Sequence, residues 1–168
     1  MLPTIVCNSL NFILWKENLF GYFFCNFLLI FKINSSRSKA ITFVLEKFNN
    51  LEPKVLIDDY VFCNFPSSYY GDHTKLKPIA SFNEKEGLTL VIQKETAKLN
   101  NLNYEGLFKC ISLNLISSLT GVGLTAKISK ILADNEISAN IYAGFYHDHI
   151  FVPKEMSQKA LKLLRDSQ

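Results

Sequence analysis

Hydrophobic and polar positions follow regular periods only from about residue 40 onward. Between 41 and 48, apolar residues recur at helical spacing, and Asn49 and Asn50 before Pro53 predict the end of that helix. Three stretches rich in strand-forming residues come next, the last two separated by an acidic turn at 83–86. The predicted strands are 59–65, 78–82 and 87–93.

The second half of the chain alternates helices and strands in a similar way. Leu124, Ile128 and Ile131 share one face of a predicted helix, and Asn135 is placed to take a left-handed cap at its end. A last amphipathic helix is predicted to begin near Pro153. The predicted elements are a short helix at 94–102, a long strand at 106–116, a helix at 124–135, strands at 137–145 and 149–153, and the final helix.

This order predicts an α+β fold of two ferredoxin-like, βαββαβ-derived units with antiparallel sheets. The first unit has a loop, residues 66–77, in place of its first helix. The second unit lacks its last strand. An unpaired strand edge is an association hazard unless something covers it. Either the strand at 106–116 serves both units, or another copy of the chain fills the missing edge.

The first 38 residues do not share this pattern. The apolar stretch at 19–31 follows Lys16 and Glu17 and is shorter than the roughly 20 residues of a spanning helix. Three interpretations stay open: an uncleaved anchor or signal, an apolar extension of the domain, or a leader outside the functional protein. We favour the last two. The predicted organisation is a leader and linker at 1–38, a first unit at 39–105 and a second unit at 106–168.

Composition narrows the function classes. The 168 residues are 48% hydrophobic and carry a formal charge of +3, with the basic residues spread along the chain. This indicates a globular protein without a nucleic-acid footprint. The four cysteines are far apart, show no CxxC spacing and lie in apolar surroundings, which favours buried, reduced thiols and a cytoplasmic location.

The sequence SSLTGVGL, residues 117–124, places two glycines between a predicted strand and a predicted helix. A loop of this kind presents unpaired backbone N–H groups and the positive end of the helix dipole, which together attract carboxylates. Gly121 and Gly123 would let a ligand approach the backbone. The alternative is that they only shape a tight turn. The glycine spacing matches neither the Walker loop nor the dinucleotide GxGxxG fingerprint, so nucleotide binding is not predicted.

Several segments resemble the small tandem ACT-domain proteins of bacteria, over about residues 42–168. They are IASFNEKEGLTLVI, YEGLFKCISLNL and SSLTGVGLTAKISKILADNEISANIYAGFYHDHIFVP. Similar units occur in the regulatory modules of aspartate kinases and in cytosolic arginine sensors. The resemblance implies regulatory binding of an amino acid, not catalysis, and no cofactor is predicted. The missing strand edge predicts a homo-oligomer, and the charge and the short apolar stretch do not predict a nucleic-acid or membrane partner.

The resemblance also implies where the ligand lies, between the first loop and helix and the second strand of a unit, often across a unit interface. Asn140 is the polar anchor on that strand, and Tyr142 shares its face because side chains alternate along a strand. The alternative is that both are ordinary solvent-facing residues. The predicted ligand-binding residues are Ser117, Ser118, Thr120, Gly121, Val122, Gly123, Leu124, Asn140 and Tyr142.

Other chemistry is less well supported. His147, Asp148 and His149 could bind a metal, but a site needs three or four ligands and only His73 remains to join them. No nucleophile is paired with a histidine by sequence, so an enzyme is not predicted. The competing function is an interaction module that pairs through exposed sheet edges and has no small ligand.

Overall fold

The structure is a computed structural model that describes residues 5–7, 12–14, 51–116 and 119–167. The chain divides into two compact units, Met1–Phe43 and Val44–Gln168. In the first, β1 (Ile5–Cys7) pairs antiparallel with β2 (Phe12–Leu14). The predicted helix at 41–48 and the apolar stretch at 19–31 lie outside the described residues. Within the described part, no helix is long and apolar enough to span a membrane.

The second unit is built from seven further strands and three α-helices among the residues described. A 3₁₀ turn at Thr74–Leu76 follows β4, and another at Lys154–Met156 precedes the last helix. In chain order the elements are β3 (Pro53–Phe65), β4 (Tyr70–His73), β5 (Ala80–Glu84), β6 (Gly87–Gln93), α1 (Lys94–Leu99), β7 (Glu105–Leu113), α2 (Leu124–Ala133), β8 (Asn140–Ala143), β9 (Asp148–Pro153) and α3 (Ser157–Asp166).

Six of these strands form one antiparallel sheet in the order β5-β6-β3-β7-β9-β8. In a ferredoxin-like unit the first and fourth strands are neighbours, the third lies beside the first, and the second is at the edge. The strands β3, β5, β6 and β7 satisfy this rule for one unit. The strands β7, β8, β9 and β3 satisfy it for a second unit.

Both central strands therefore belong to both units. The expected α+β fold of two ferredoxin-like units is confirmed, with the segment between β3 and β5 holding β4 and a 3₁₀ turn in place of a first helix. Among the residues described, no strand follows α3, and β3 occupies the position of the second unit's last strand. Of the two alternatives, the structure contains the first: the strand at 106–116, which is β7, serves both units of the same chain.

Strand boundaries differ from the prediction at β3, which begins at Pro53 rather than at 59. Val55 lies opposite Ile111 and Asp59 opposite Lys109, so four steps along β3 match only two along β7. This bulge leaves Ile57 91% exposed and interrupts the alternation by which strands are recognised. The left-handed residue after α2 is Glu136, with φ 59°, rather than the expected Asn135.

All three helices pack on one face of the sheet. One cluster places Ile128, Leu132 and Leu164 of the helices against Ile111 and Ile150 of the strands. A second cluster, with Ala97 of α1, covers the β3 and β6 end of the same face. Each fully buried Leu or Ile contributes roughly 1.5–3 kcal/mol to stability, so these clusters hold the helices in place.

The opposite sheet face carries aromatic side chains instead of helices, within the part of the chain described. Tyr60, Cys110 and Phe151 alternate with the residues that face the helices and form a separate cluster. The Phe151 ring is only 1% exposed and meets the rings of Tyr60, Phe62 and Tyr142 edge-on, with centroids 5.6–5.8 Å apart. The name aromatic face is used below for this side of the sheet.

Candidate functional site

The glycine loop leads from β7 into α2. Gly123 is the residue before the helix, with φ 103°, a conformation that residues with a Cβ rarely adopt. Gly123, the N-cap residue, has no side chain to cap the helix, and its carbonyl accepts the first helical bond, from the Lys127 N–H at 3.0 Å. The N-cap position of α2 therefore provides no side-chain cap to the first helical N–H groups.

The predicted loop residues are only partly described. Ser117 and Ser118 lie outside the described residues. Thr120, Gly121 and Val122 are exposed, the last at 78%, while Gly123 and Leu124 are half-buried. The loop is thus a surface feature at the start of a ten-residue helix.

The other two predicted residues, Asn140 and Tyr142, lie on β8. They point to the aromatic face, because Ile141 between them packs with the helices. The period-two expectation for this strand agrees with the structure. Asn140 is exposed, and Tyr142 is half-buried with its ring centroid 6.5 Å from that of Phe62 on β3.

The strand register shows how these two parts of the predicted site are arranged. Tyr142 pairs with His149, which pairs with Ser112 near the end of β7, so Tyr142 is level with the start of the glycine loop. Asn140 is level with Cys110, in the middle of β7. The side chains of Asn140 and Tyr142 point away from the sheet face that α2 covers, so α2 and Asn140 of one chain lie on different sides of the sheet.

Asn140 and Tyr142 instead line a groove of about 1150 Å³ on the aromatic face. Its other walls come from the opposite edge of the sheet, including Phe82 and Glu84 of β5. Burial raises the pKa of Tyr142, and the charge of Glu84 raises that pKa further, so the two sheet edges approach each other across the groove. None of the residues from 119 to 124 lines it.

Sequence reasoning missed this groove because its residues are distant in sequence. The only signal in the sequence is that three aromatic residues, Phe62, Phe82 and Tyr142, each fall within a strand whose side chains alternate between the two sheet faces. Strand order was needed to place these rings on one surface. The groove also includes Thr89, whose hydroxyl donates to the Glu84 carboxylate and so fixes the orientation of that acid.

A cysteine and a histidine meet on the aromatic face, which the sequence did not predict. Cys110 Sγ lies 3.9 Å from His149 Nδ1. The thiol is fully buried, and this burial raises the pKa of Cys110 to about 12, so it stays protonated near neutral pH. Burial, and then the neighbouring His147, lower the pKa of His149, while Asp148 opposes them. The pair is therefore a neutral contact rather than an activated nucleophile.

The histidine-rich hairpin does not gather metal ligands. Among the residues described, no group of three or more His, Cys, Asp or Glu side chains is placed to hold a metal ion. Asp148 is buried, with 5% exposure, and His73 stacks on the ring of Phe65 at a centroid distance of 4.1 Å. His73, the residue that the sequence offered as a further metal ligand, therefore contacts Phe65 of β3.

The fold defines an α+β protein of two ferredoxin-like units that share their central strands. Two ACT-domain family models match the chain, one over residues 44–109 and the other over residues 108–166. The chain therefore belongs to the ACT-domain family and carries two ACT domains in tandem. No curated protein matches the sequence.

Solved structures agree with this assignment. A Vibrio cholerae protein, described as of unknown function and as a possible transport protein, is 42% identical, with a TM-score of 0.69 over 77% of this chain and 99% of that one. An Agrobacterium tumefaciens protein is 16% identical, with a TM-score of 0.58 over 68% and 87%. The regulatory subunit of Thermus flavus aspartate kinase is 12% identical, with a TM-score of 0.50 over 68% and 95%. The last two share the fold.

Proposed function

We propose that the protein is a regulatory binding protein whose ligand is an amino acid, bound at the 117–124 loop and the strand at 138–144. The observation that carries the proposal is the double match to the ACT-domain family. In this proposal the functional protein consists of two units, 39–105 and 106–168, and it is located in the cytoplasm. It needs no cofactor and catalyses no reaction in this proposal.

The N-terminus of α2 supports the position of the ligand carboxylate. The N-cap residue, Gly123, provides no side-chain cap and has no Cβ to obstruct a ligand that approaches the backbone. A carboxylate there would gain hydrogen bonds from the backbone and a favourable interaction with the helix dipole. The hydroxyls of Ser117, Ser118 and Thr120 would contact the remaining polar atoms of the ligand.

The position of Asn140 supports a site completed between two copies of the chain. Asn140 and α2 lie on different sides of the sheet within one chain, whereas the pairing found for β8 is to β9 alone among the strands described. Pairing of the second edge of β8 with another copy would bring a second loop toward the strand. A homo-oligomer is therefore part of the proposal.

The test begins with a thermal-shift screen of the twenty amino acids on the full chain. A ligand at ~100 times its dissociation constant adds about 2.7 kcal/mol to the free energy of unfolding. Calorimetry with the selected amino acid then compares the wild type with Gly123→Val. We expect this variant to lose binding, because a β-branched side chain disfavours positive φ and fills the space of the ligand.

A second variant, Asn140→Ala, should weaken binding by about 0.5–1.5 kcal/mol, the range for one neutral hydrogen bond. Asn83→Ala is the matched control, since Asn83 is exposed on β5 and far from the loop in the strand order. Unchanged affinity in a natively folded Gly123→Val would place the ligand elsewhere. If no amino acid binds the wild type, the interaction module becomes the better hypothesis.

A further inference from the structure

The groove on the aromatic face has a floor and walls made of rings. Phe62 lies at its floor, with ring centroids 5.0 Å from Phe108 and 5.8 Å from Phe151, both in edge-on geometry. Phe82 on one wall and Tyr104 at one end are 62% and 40% exposed. Exposed rings gathered around a concave surface are typical of binding sites rather than of ordinary protein surface.

The charged residues that line the groove in the described part of the chain are both acidic. Glu84 and Glu105 line it, and among its described lining residues there is no lysine, arginine or histidine. Glu84 stands next to Phe82 on the same face of β5, since the two are separated by one residue. Carboxylates beside aromatic faces form the environment that attracts organic cations, because the ring quadrupole and the negative charge act together.

We propose that this groove is a second binding site, separate from the glycine loop, and that it takes a small organic cation with a flat apolar body, of the arylalkylammonium kind. The ammonium group lies near Glu84, which the Thr89 hydroxyl holds in place. The apolar body lies over Phe62 and Phe82. Anions are disfavoured because the two carboxylates repel them and the described lining offers them no positive partner.

The groove and the proposed amino-acid site overlap on β8, because both include Asn140 and Tyr142. The glycine loop distinguishes the two sites, since none of the described loop residues 119–124 lines the groove. The proposal therefore does not depend on whether an amino acid binds at the loop.

The experiment titrates tryptamine into the full chain by calorimetry at low ionic strength. Two probes of similar shape accompany it: 3-methylindole, which is neutral, and indole-3-acetate, which is an anion. We expect saturable binding of tryptamine, weaker binding of the neutral probe and none of the anion. Added salt should weaken tryptamine binding, because the carboxylates are partly exposed and their charges are screened.

Variants identify the groove residues. Glu84→Gln should weaken tryptamine binding about threefold or more, a loss typical of one exposed cation contact. Glu86→Gln, in the adjacent turn, is the matched control and should bind as the wild type does. Phe82→Ala should also weaken binding, with Phe145→Ala as its control, since Phe145 is 71% exposed and does not line the groove.

Three results would overturn the proposal: no saturable heat with tryptamine, equal affinity for the anion, or Glu84→Gln and Phe82→Ala variants that bind as the wild type does. Gly123→Val separates this site from the proposed amino-acid site. It should keep its tryptamine affinity even if it loses the amino acid. Loss of both ligands in a folded Gly123→Val would mean a single shared site, and the second site would be rejected.

Discussion

Asp59 connects three elements of the sheet through one carboxylate. Its Oδ2 lies 2.6 Å from Lys154 Nζ, just after β9, and its Oδ1 lies 3.0 Å from Lys109 Nζ on β7. Lys109 also donates to the Ile57 and Asp58 carbonyls in the β3 bulge. The two lysines, with Lys154 the larger effect, lower the pKa of Asp59 against the opposing effect of burial. Lys109 therefore links the bulge carbonyls and the Asp59 carboxylate to β7.

The first prediction follows from that pKa. Asp59→Asn should lower the free energy of unfolding by about 1–2 kcal/mol at neutral pH, in the range of hydrogen bonds to charged groups, reduced because the Asp59 side chain is 19% exposed. A depressed folded pKa gives stability that is present above the unfolded pKa and lost as pH falls through the folded one. Denaturation of both proteins between neutral and acid pH measures this.

The difference between wild type and Asp59→Asn should therefore be constant near neutral pH and shrink in acid. The control is Asp134→Asn, which removes an exposed ion pair with Lys130 at 2.8 Å and should cost no more than about 0.5 kcal/mol. A difference for Asp59→Asn that persists unchanged in strong acid would contradict the assignment to its charge.

A second prediction concerns Gly106, at the irregularity where Tyr60 lies opposite Phe108 and Phe62 opposite Glu105. Its φ is +72°, and a Cβ built there would lie 2.2 Å from the Phe108 ring. Gly106→Ala should destabilise the fold by about 1–3 kcal/mol, through positive φ and the displaced ring. Thermal and denaturant unfolding measure the loss. Gly71→Ala is the control, because Gly71 has φ +100° with no atom within 4 Å of its Cβ, and so it should show backbone strain alone.

At the scale of elements, the shared strands predict that the two ACT domains unfold together. Leu90 belongs to the core cluster of the first domain and Leu164 to that of the second, and both are fully buried. Leu90→Ala and Leu164→Ala should each cost about 2–5 kcal/mol, and each should lower one single transition. Calorimetry with a second spectroscopic probe checks this. A variant that melts in two steps would show that the domains are independent.

Some elements were predictable from sequence because their signals are local. The acidic turn and the alternation around it gave the β5 and β6 hairpin, and the glycine loop gave the start of α2. The first half of β3 was not predictable, because the bulge at Ile57 breaks the alternation. The fold class could be predicted because local patterns give the helices and strands. Strand sharing stayed one of two alternatives because strand pairing is non-local.

The candidate site likewise has features that the sequence predicts and features that it does not. The positive φ at Gly123 and the orientation of Asn140 follow from residue type and period two, so sequence reasoning reached them. The separation of Asn140 from α2 depends on which face of the sheet α2 covers. The groove depends on Glu84 and Tyr142 approaching from opposite edges of a curved sheet. Neither relation exists until six strands are placed in order.

At the scale of the whole molecule, the two sheet edges that have no partner among the described strands predict self-association. β5 and β8 are the two edge strands of the six-stranded sheet, and an unpaired edge promotes pairing with another chain. Sedimentation should show a dimer or higher oligomer whose population rises with protein concentration. A monomer at every concentration would contradict this and would also remove the proposed site between two copies.

The leader gives a last prediction, which the described residues do not test. Deleting residues 1–38 should leave a soluble protein with a single cooperative melting transition, because the family matches begin at residue 44. The full chain is the control in the same buffer. Aggregation or loss of cooperative melting in the shortened chain alone would make the leader a structural part of the domain.

Sharing β3 and β7 also fixes the order in which the sheet is completed during synthesis. Once residue 113 has emerged from the ribosome, β3, β5, β6 and β7 have all been made, and β7 is the outer strand of a four-stranded nascent sheet. Its free edge then waits for β9, about forty residues later. A nascent chain that pauses in this interval presents the nine-residue β7 as a template for foreign strands. Misassembly is therefore most favoured after the strands of the first domain have been made and before the second domain is complete, while α2 is being made.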